Sequence, residues 1–133
     1  MNAVFADTSG LFALLSTTDE NHARAKRAFA NLRTRQALLV STSYVLVETY
    51  ALLGRRLGLE AVRSFRADFA PVIDVVWIDE ALHNAGLDLL LDRRKRQLSL
   101  VDAVSFIVMR RGSVAEAFGF DPHFDQEGFS LVT

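Results

Sequence analysis

Four carboxylates are spread along this chain in places that charge ordinarily avoids. Asp7 follows the apolar run Ala3-Val4-Phe5-Ala6, and Asp121 follows Ala117-Phe118-Gly119-Phe120. Glu48 interrupts the apolar stretch between Tyr44 and Leu53, and Asp102 interrupts the one between Leu98 and Val104. An acid at a strand end or inside an apolar helix face is costly unless it is paired or bound to a cation. Four such acids point to one pocket for a divalent metal. Oxygen donors suit hard cations such as Mg2+ or Mn2+. A cation held this way lowers the pKa of a water and polarises a phosphoryl oxygen, which is the chemistry that cuts phosphodiesters. Because Mg2+ takes only one or two protein carboxylates directly, Asp7 and Asp102 read as primary ligands. Glu48 and Asp121 read as further ligands, or as acceptors that hold water at the metal.

Each acid also has an ordinary reading. Asp7 suits a helix N-cap. Asp102 lies three residues after Ser99, the N3 position of a capping box. Asp121-Pro122 fits an Asx-type turn. Glu48 has no cap role; it sits mid-helix between apolar neighbours and reads as a buried carboxylate. Thr8, Ser9 and Ser105 can supply supporting hydrogen bonds, Ser105 because it shares a helix side with Asp102 three residues earlier. Asp125 adds a further acid one helical turn after Asp121.

Other chemistries lack their signatures. There is no G-x-x-x-x-G-K-[ST], no G-x-G-x-x-G and no G-x-S-x-G. The absence of Cys excludes disulfides and thiol catalysis, and it is consistent with a cytoplasmic protein. His22, His83 and His123 form no H-x-x-x-H pair, so zinc is not expected. No apolar run approaches the ~18 residues of a membrane span, and Asp7 falls where a signal peptide would be apolar. The net charge of −1 is not that of a protein gripping nucleic acid with its whole surface. The cations are clustered, however, at Arg24-Ala-Lys26-Arg27, Arg33-Thr-Arg35, Arg55-Arg56, Arg93-Arg94-Lys95-Arg96 and Arg110-Arg111. Each cluster is either a solvated helix end or part of a basic rim.

The elements that must position the acids follow from pattern. The 133 residues make one domain, half of them hydrophobic and ten of them Phe, enough for a sizeable core. Short strands are expected at 3–6, 38–40, 72–78, 115–118 and 129–132. Helices are expected at 9–15, at 19–32 behind a Thr17-x-x-Glu20 capping box, and from the Ser41-Thr42-Ser43 cap to Gly58. Further helices are expected at 59–69, ending before Pro71, from the Asp79 cap to 92, and from the Ser99 cap to 111. Strands alternating with helices imply an α/β fold, a parallel sheet with helices on both faces. Its ligand crevice lies at the C-terminal strand ends, where Asp7 and Asp121 both project. The stripe Val62, Phe65, Phe69 is either core or the wall of a groove for a partner helix.

Several segments together resemble the PIN domain, most closely the VapC-type ribonuclease toxins. They are Phe5-Ala6-Asp7-Thr8-Ser9, Asp19-x-x-His22, Val47-Glu48-Thr49, 98–106 from Leu98 through Asp102 to Phe106, and 118–129 from Phe118 through Asp121 to Phe129. They run from end to end of the chain in the family's order. The resemblance implies a single PIN-like domain over 1–133, a three-layer sandwich around a central parallel sheet. It implies Mg2+ or Mn2+, an RNA substrate, a homodimer, and inhibition by a small antitoxin protein. One position departs: the family often has Ser or Thr two residues before the fourth acid, where this chain has Gly119. Two alternatives stay open. One is a metal-dependent phosphotransfer domain, which would need a late Lys, whereas the only lysines are Lys26 and Lys95. The other is a PIN-like module that binds RNA or a partner without cutting.

Overall fold

A computed structural model describes residues 2–132. Five strands, β1 (Ala3–Ala6), β2 (Leu38–Thr42), β3 (Ile73–Val76), β4 (Glu116–Phe118) and β5 (Ser130–Val132), form one sheet in the order β3-β2-β1-β4-β5. Every pairing is parallel. The chain therefore builds outward from β1 on one side, then returns to lay β4 against β1 on the other. The C-terminal ends of β1 and β4 flank the point where strand order reverses, the place where such sheets open a crevice.

Among the described residues seven α-helices accompany the sheet: α1 (Thr8–Leu15), α2 (His22–Thr34), α3 (Ser43–Leu57), α4 (Leu59–Ser64), α5 (Glu80–Arg93), α6 (Leu100–Arg111) and α7 (Pro122–Gln126). Side chains alternate faces along a strand, and the aromatic residues show which helices lie where. Phe5 of β1 meets Phe124 of α7, which in turn meets Phe106 of α6. Phe118 of β4 pairs in register with Ala6, one residue beyond Phe5, and so points to the opposite face. There it meets Phe29 of α2. Phe5, Phe106, Phe118 and Phe124 are all fully buried, which places a core on each side of the sheet.

Most elements lie where the sequence puts them, with local corrections. The Thr17–Glu20 box does not form; α2 starts at His22 behind Asn21, which makes no side-chain cap bond. Asp19 instead accepts the Asn21 amide in a turn. Strand β2 runs to Thr42, whose hydroxyl then caps α3. Beyond α4 the chain continues as a π-helical turn, Phe65–Phe69, and a 3-10 turn, Ala70–Val72. Phe65 in that turn is fully buried, edge-on to Tyr50 and stacked on Phe69. The Val62–Phe65–Phe69 stripe is thus anchored in the core at Phe65, with Val62 and Phe69 half-buried on either side of it. Strand β3 is shorter than expected, and Trp77 just beyond it is 74% exposed. Helix α7 has no counterpart in the sequence expectation; Pro122 occupies its first turn, where a missing N–H costs nothing.

Candidate metal centre

The site is built where β1 and β4 end. The Asp7 amide donates to the Phe118 carbonyl at 3.0 Å, extending the ladder one step past the strands. The next residues turn at once into α1, with Asp7 as its N-cap. Asp7 Oδ2 accepts the Ser9 amide at 3.3 Å and the Ser9 hydroxyl at 2.7 Å. Gly10 lets this turn lie directly on β4: a Cβ there would fall 2.6 Å from the Phe118 carbonyl oxygen. The sequence Asp7-Thr8-Ser9-Gly10 is therefore both a helix start and a close strand crossing.

Asp102 arrives from the other direction, in the first turn of α6. It forms the capping box expected of it: its amide donates to Ser99 Oγ at 3.1 Å, and its Oδ2 accepts the Ser99 amide at 3.2 Å. Asp121 is the N-cap of α7; its Oδ1 accepts the His123 amide at 2.9 Å and His123 Nδ1–H at 2.8 Å. Asp102, Asp121 and His123 each offer a ligand atom, all within 4.8 Å of one another.

Asp7 belongs to the same electrostatic unit. Burial pushes its carboxyl up from 3.8 to about 7, the Ser9 hydroxyl opposes this, and the charges of Asp102 and Asp121 add to it. Burial also pushes Asp102 up, as does Asp121, against the opposing Ser99 bonds and His123. Three carboxylates thus share one field, and two of them hold a proton more tightly than a free acid does. A dication relieves that repulsion. The carboxylate oxygens of this group suit hard cations such as Mg2+ or Mn2+.

The structure sorts the remaining candidates. Ser9 touches Asp7 as expected. Thr8 does not; its hydroxyl reaches the Val45 carbonyl at 3.4 Å and shares a hydrogen bond with Thr49, tying α1 to α3. Ser105 donates back to Val101 within its own helix at 2.7 Å, so its hydroxyl is committed away from Asp102. Glu48 corrects the expectation of a buried acid: it is exposed on α3, beside the Thr49 that holds α1. Asp125 is exposed on α7. His123 is the residue that sequence reasoning passed over. Its signal was the spacing Asp121-x-His123 at a helix start, hidden because the histidines were weighed only against one another. A separate cavity lies elsewhere, lined by Phe29, Leu32, Phe69 and Val72.

The PIN domain family model matches residues 4–129. The chain is 34% identical over 130 residues to the 23S rRNA-specific endonuclease VapC20 of Mycobacterium tuberculosis, in strains CDC 1551 / Oshkosh and ATCC 25618 / H37Rv, with 97% of each chain covered. The crystal structure of M. tuberculosis VapC20, described as a sarcin-ricin loop cleaving toxin, superposes with a TM-score of 0.84 at 33% identity, covering 95% of both chains. The chain belongs to the PIN domain family and, within it, to the VapC-type toxin ribonucleases.

Proposed function

We propose that this protein is a metal-dependent endoribonuclease, the toxin of a toxin–antitoxin pair, and that Asp7, Asp102 and Asp121 hold its divalent cation. One observation carries the reading: three acids from distant segments meet at the strand-order switch point, and burial with mutual repulsion holds Asp7 at about 7. Mg2+ is the expected ion, with Mn2+ as a substitute. When bound, it supplies a more acidic water and a polarised phosphoryl oxygen.

The chain's own groups set the stage for that chemistry. Ser9 aims the Asp7 carboxylate, and the Ser99 amide anchors that of Asp102. His123 fixes Oδ1 of Asp121 through both its ring and its amide. Glu48 stands outside this group and is assigned the outer role of accepting from water at the rim.

The substrate is RNA. The names of the M. tuberculosis relatives make 23S rRNA, at its sarcin-ricin loop, the first target to try. A small antitoxin is the natural partner of such a chain. A homodimer is supported by apolar side chains left in solvent, among them Trp77, Val47 at 69% exposure and Leu91 at 72%. Among the described residues no helix is long and apolar enough to cross a membrane; the cytoplasm is the setting that the proposed role on RNA calls for.

The test is cleavage of purified ribosomes and of a sarcin-ricin hairpin, with Mg2+, with EDTA, and with Asp7→Asn. The expected result is cleavage at one bond, lost in EDTA and in the variant. Cleavage that survives EDTA overturns the metal assignment, and no cleavage of any RNA overturns the nuclease. Cleavage of another RNA alone overturns only the choice of target.

A further inference from the structure

Gly119 is the position where this chain departs from the family pattern, and the structure shows what fills its place. A Cβ built on Gly119 would lie 2.7 Å from Ser9 Oγ, 3.2 Å from Asp7 Cβ and 3.4 Å from Asp7 Oδ2. Its φ is ordinary, so the glycine is there for space and not for backbone freedom. The space is occupied by the Ser9 hydroxyl. That hydroxyl donates to Asp7 Oδ2 at 2.7 Å and accepts the Phe120 amide at 2.8 Å, across a sequence separation of 111 residues.

We propose that Ser9 and Gly119 form a latch in which the Ser9 hydroxyl, seated in the room Gly119 leaves, fixes the Asp7 carboxylate against the loop that carries Asp121. The inference rests on the nuclease reading for its effect on activity, but the latch itself is a feature of the folded chain. A hydroxyl has one proton to give and can accept in return. Here both capacities are used, so one atom ties the Asp7 carboxylate to the Phe120 amide, beyond the Asp7 amide–Phe118 carbonyl bond that already joins the two backbones. Ser9 is a positioning residue: it acts through Asp7. A side chain at 119 would push that atom out of place and break both bonds at once. Conversely, a serine at 119 would carry its hydroxyl on a Cβ 3.4 Å from Asp7 Oδ2 and 2.7 Å from the present place of Ser9 Oγ, within reach of the same carboxylate.

The test uses the whole protein with four variants: Ser9→Ala, Gly119→Ala, the pair S9A/G119A, and the swap S9A/G119S. Three quantities are read: hydrogen exchange of the Phe120 amide in metal-free protein, Mn2+ affinity from the spectrum of free Mn2+, and RNA cleavage. Both single variants should speed Phe120 exchange and weaken Mn2+ binding and cleavage by about 10–100-fold, the range for a residue that orients a ligand. The S9A/G119A pair should be no worse than the weaker single, because both changes break the same two bonds. The swap should recover most of the loss. Gly119→Ala with parental Phe120 exchange and Mn2+ affinity overturns the latch, as does a swap no better than Ser9→Ala. If the parent protein neither binds Mn2+ nor cuts RNA, the nuclease reading fails, while Phe120 exchange still decides the latch.

Discussion

Phe106 and Phe124 pack α6 against α7, and the two ends of this pair hold carboxylates under opposite conditions. At the N-terminal end, Asp102 and Asp121 gather with Asp7, and the charges on them are chiefly one another's. At the C-terminal end, Glu127 sits between two guanidinium groups. Arg93 Nε donates to its Oε1 at 2.7 Å, and Arg110 Nη2 donates to its Oε2 at 2.7 Å. The side chain of Glu127 is only 7% exposed, yet the Arg93 bond, aided by Arg110, pulls its carboxyl down from 4.5 to about 2. Arg110 also lies over the Phe129 ring at 5.2 Å, which fixes its guanidinium. One end answers its acid from within the chain; the other leaves its acids to be answered from outside. The first arrangement stabilises the fold, and the second costs stability, as the proposed site would require.

Changing either end tests the contrast. The largest effect is expected for Asp7→Asn, which keeps the cap but removes a charge. Cleavage should fall by on the order of 10³-fold or more, measured under single-turnover conditions with saturating Mg2+. Full activity would remove Asp7 from the site.

Next is the pH response of metal-free protein. Because folding raises the Asp7 carboxyl to about 7 from 3.8, its contribution is present in full below pH 4 and is lost as pH rises through 7. Unfolding by urea should show stability falling by a few kcal/mol over that window, with a slope of about 1.4 kcal/mol per pH unit at its steepest. Asp7→Asn should flatten the slope, and saturating Mg2+ should offset it. A slope unchanged by the substitution would mean that another group titrates there.

At the opposite end, Glu127→Gln should cost about 1–3 kcal/mol, less than a fully enclosed pair because both arginines are partly exposed. Its sign is reversed: the Glu127 contribution is present above pH 4.5 and lost as pH falls toward 2. Mg2+ should shift the thermal midpoint of this variant as much as that of the parent. A loss of Mg2+ response would erase the distinction between the two ends. The smallest effect is expected for Glu48→Gln, within about 0.5 kcal/mol in metal-free protein, since the residue is exposed. A larger change in stability would mean that it is paired after all.

The acids that the sequence revealed are those tied to backbone events. Asp7 and Asp121 each follow a short apolar strand and cap a helix, and Ser99 with Asp102 spells out a capping box. Those local patterns survive in the fold because nothing distant competes with them. What was hidden depends on which side of a helix meets the sheet. On α3 the buried residues are Ser43, Val45, Leu46, Thr49 and Leu53, so Glu48 faces outward, as does Val47 beside it. Thr17 and Glu20 match a capping signature, but the chain is still turning there and α2 begins two residues after Glu20, at His22. Phe65 lies on a helical stripe that fits core and groove equally, and only its contacts with Tyr50 and Phe69 decide. Helix α7, five residues opened by Pro122, is too short to show a period.

The span of 111 residues between Ser9 and Phe120 also bears on how this chain is made. Strand β1 is synthesised first, but it cannot meet β4 until nearly the whole sequence has followed. Closing so long a loop is among the slowest events in folding, because its entropy must be spent before any contact forms. A nascent chain that ends before residue 121 has its first acid but neither the loop that carries Asp121 nor the helix it caps. On the proposed reading, in which Asp121 helps hold the cation, RNA cleavage therefore cannot precede completion of the domain.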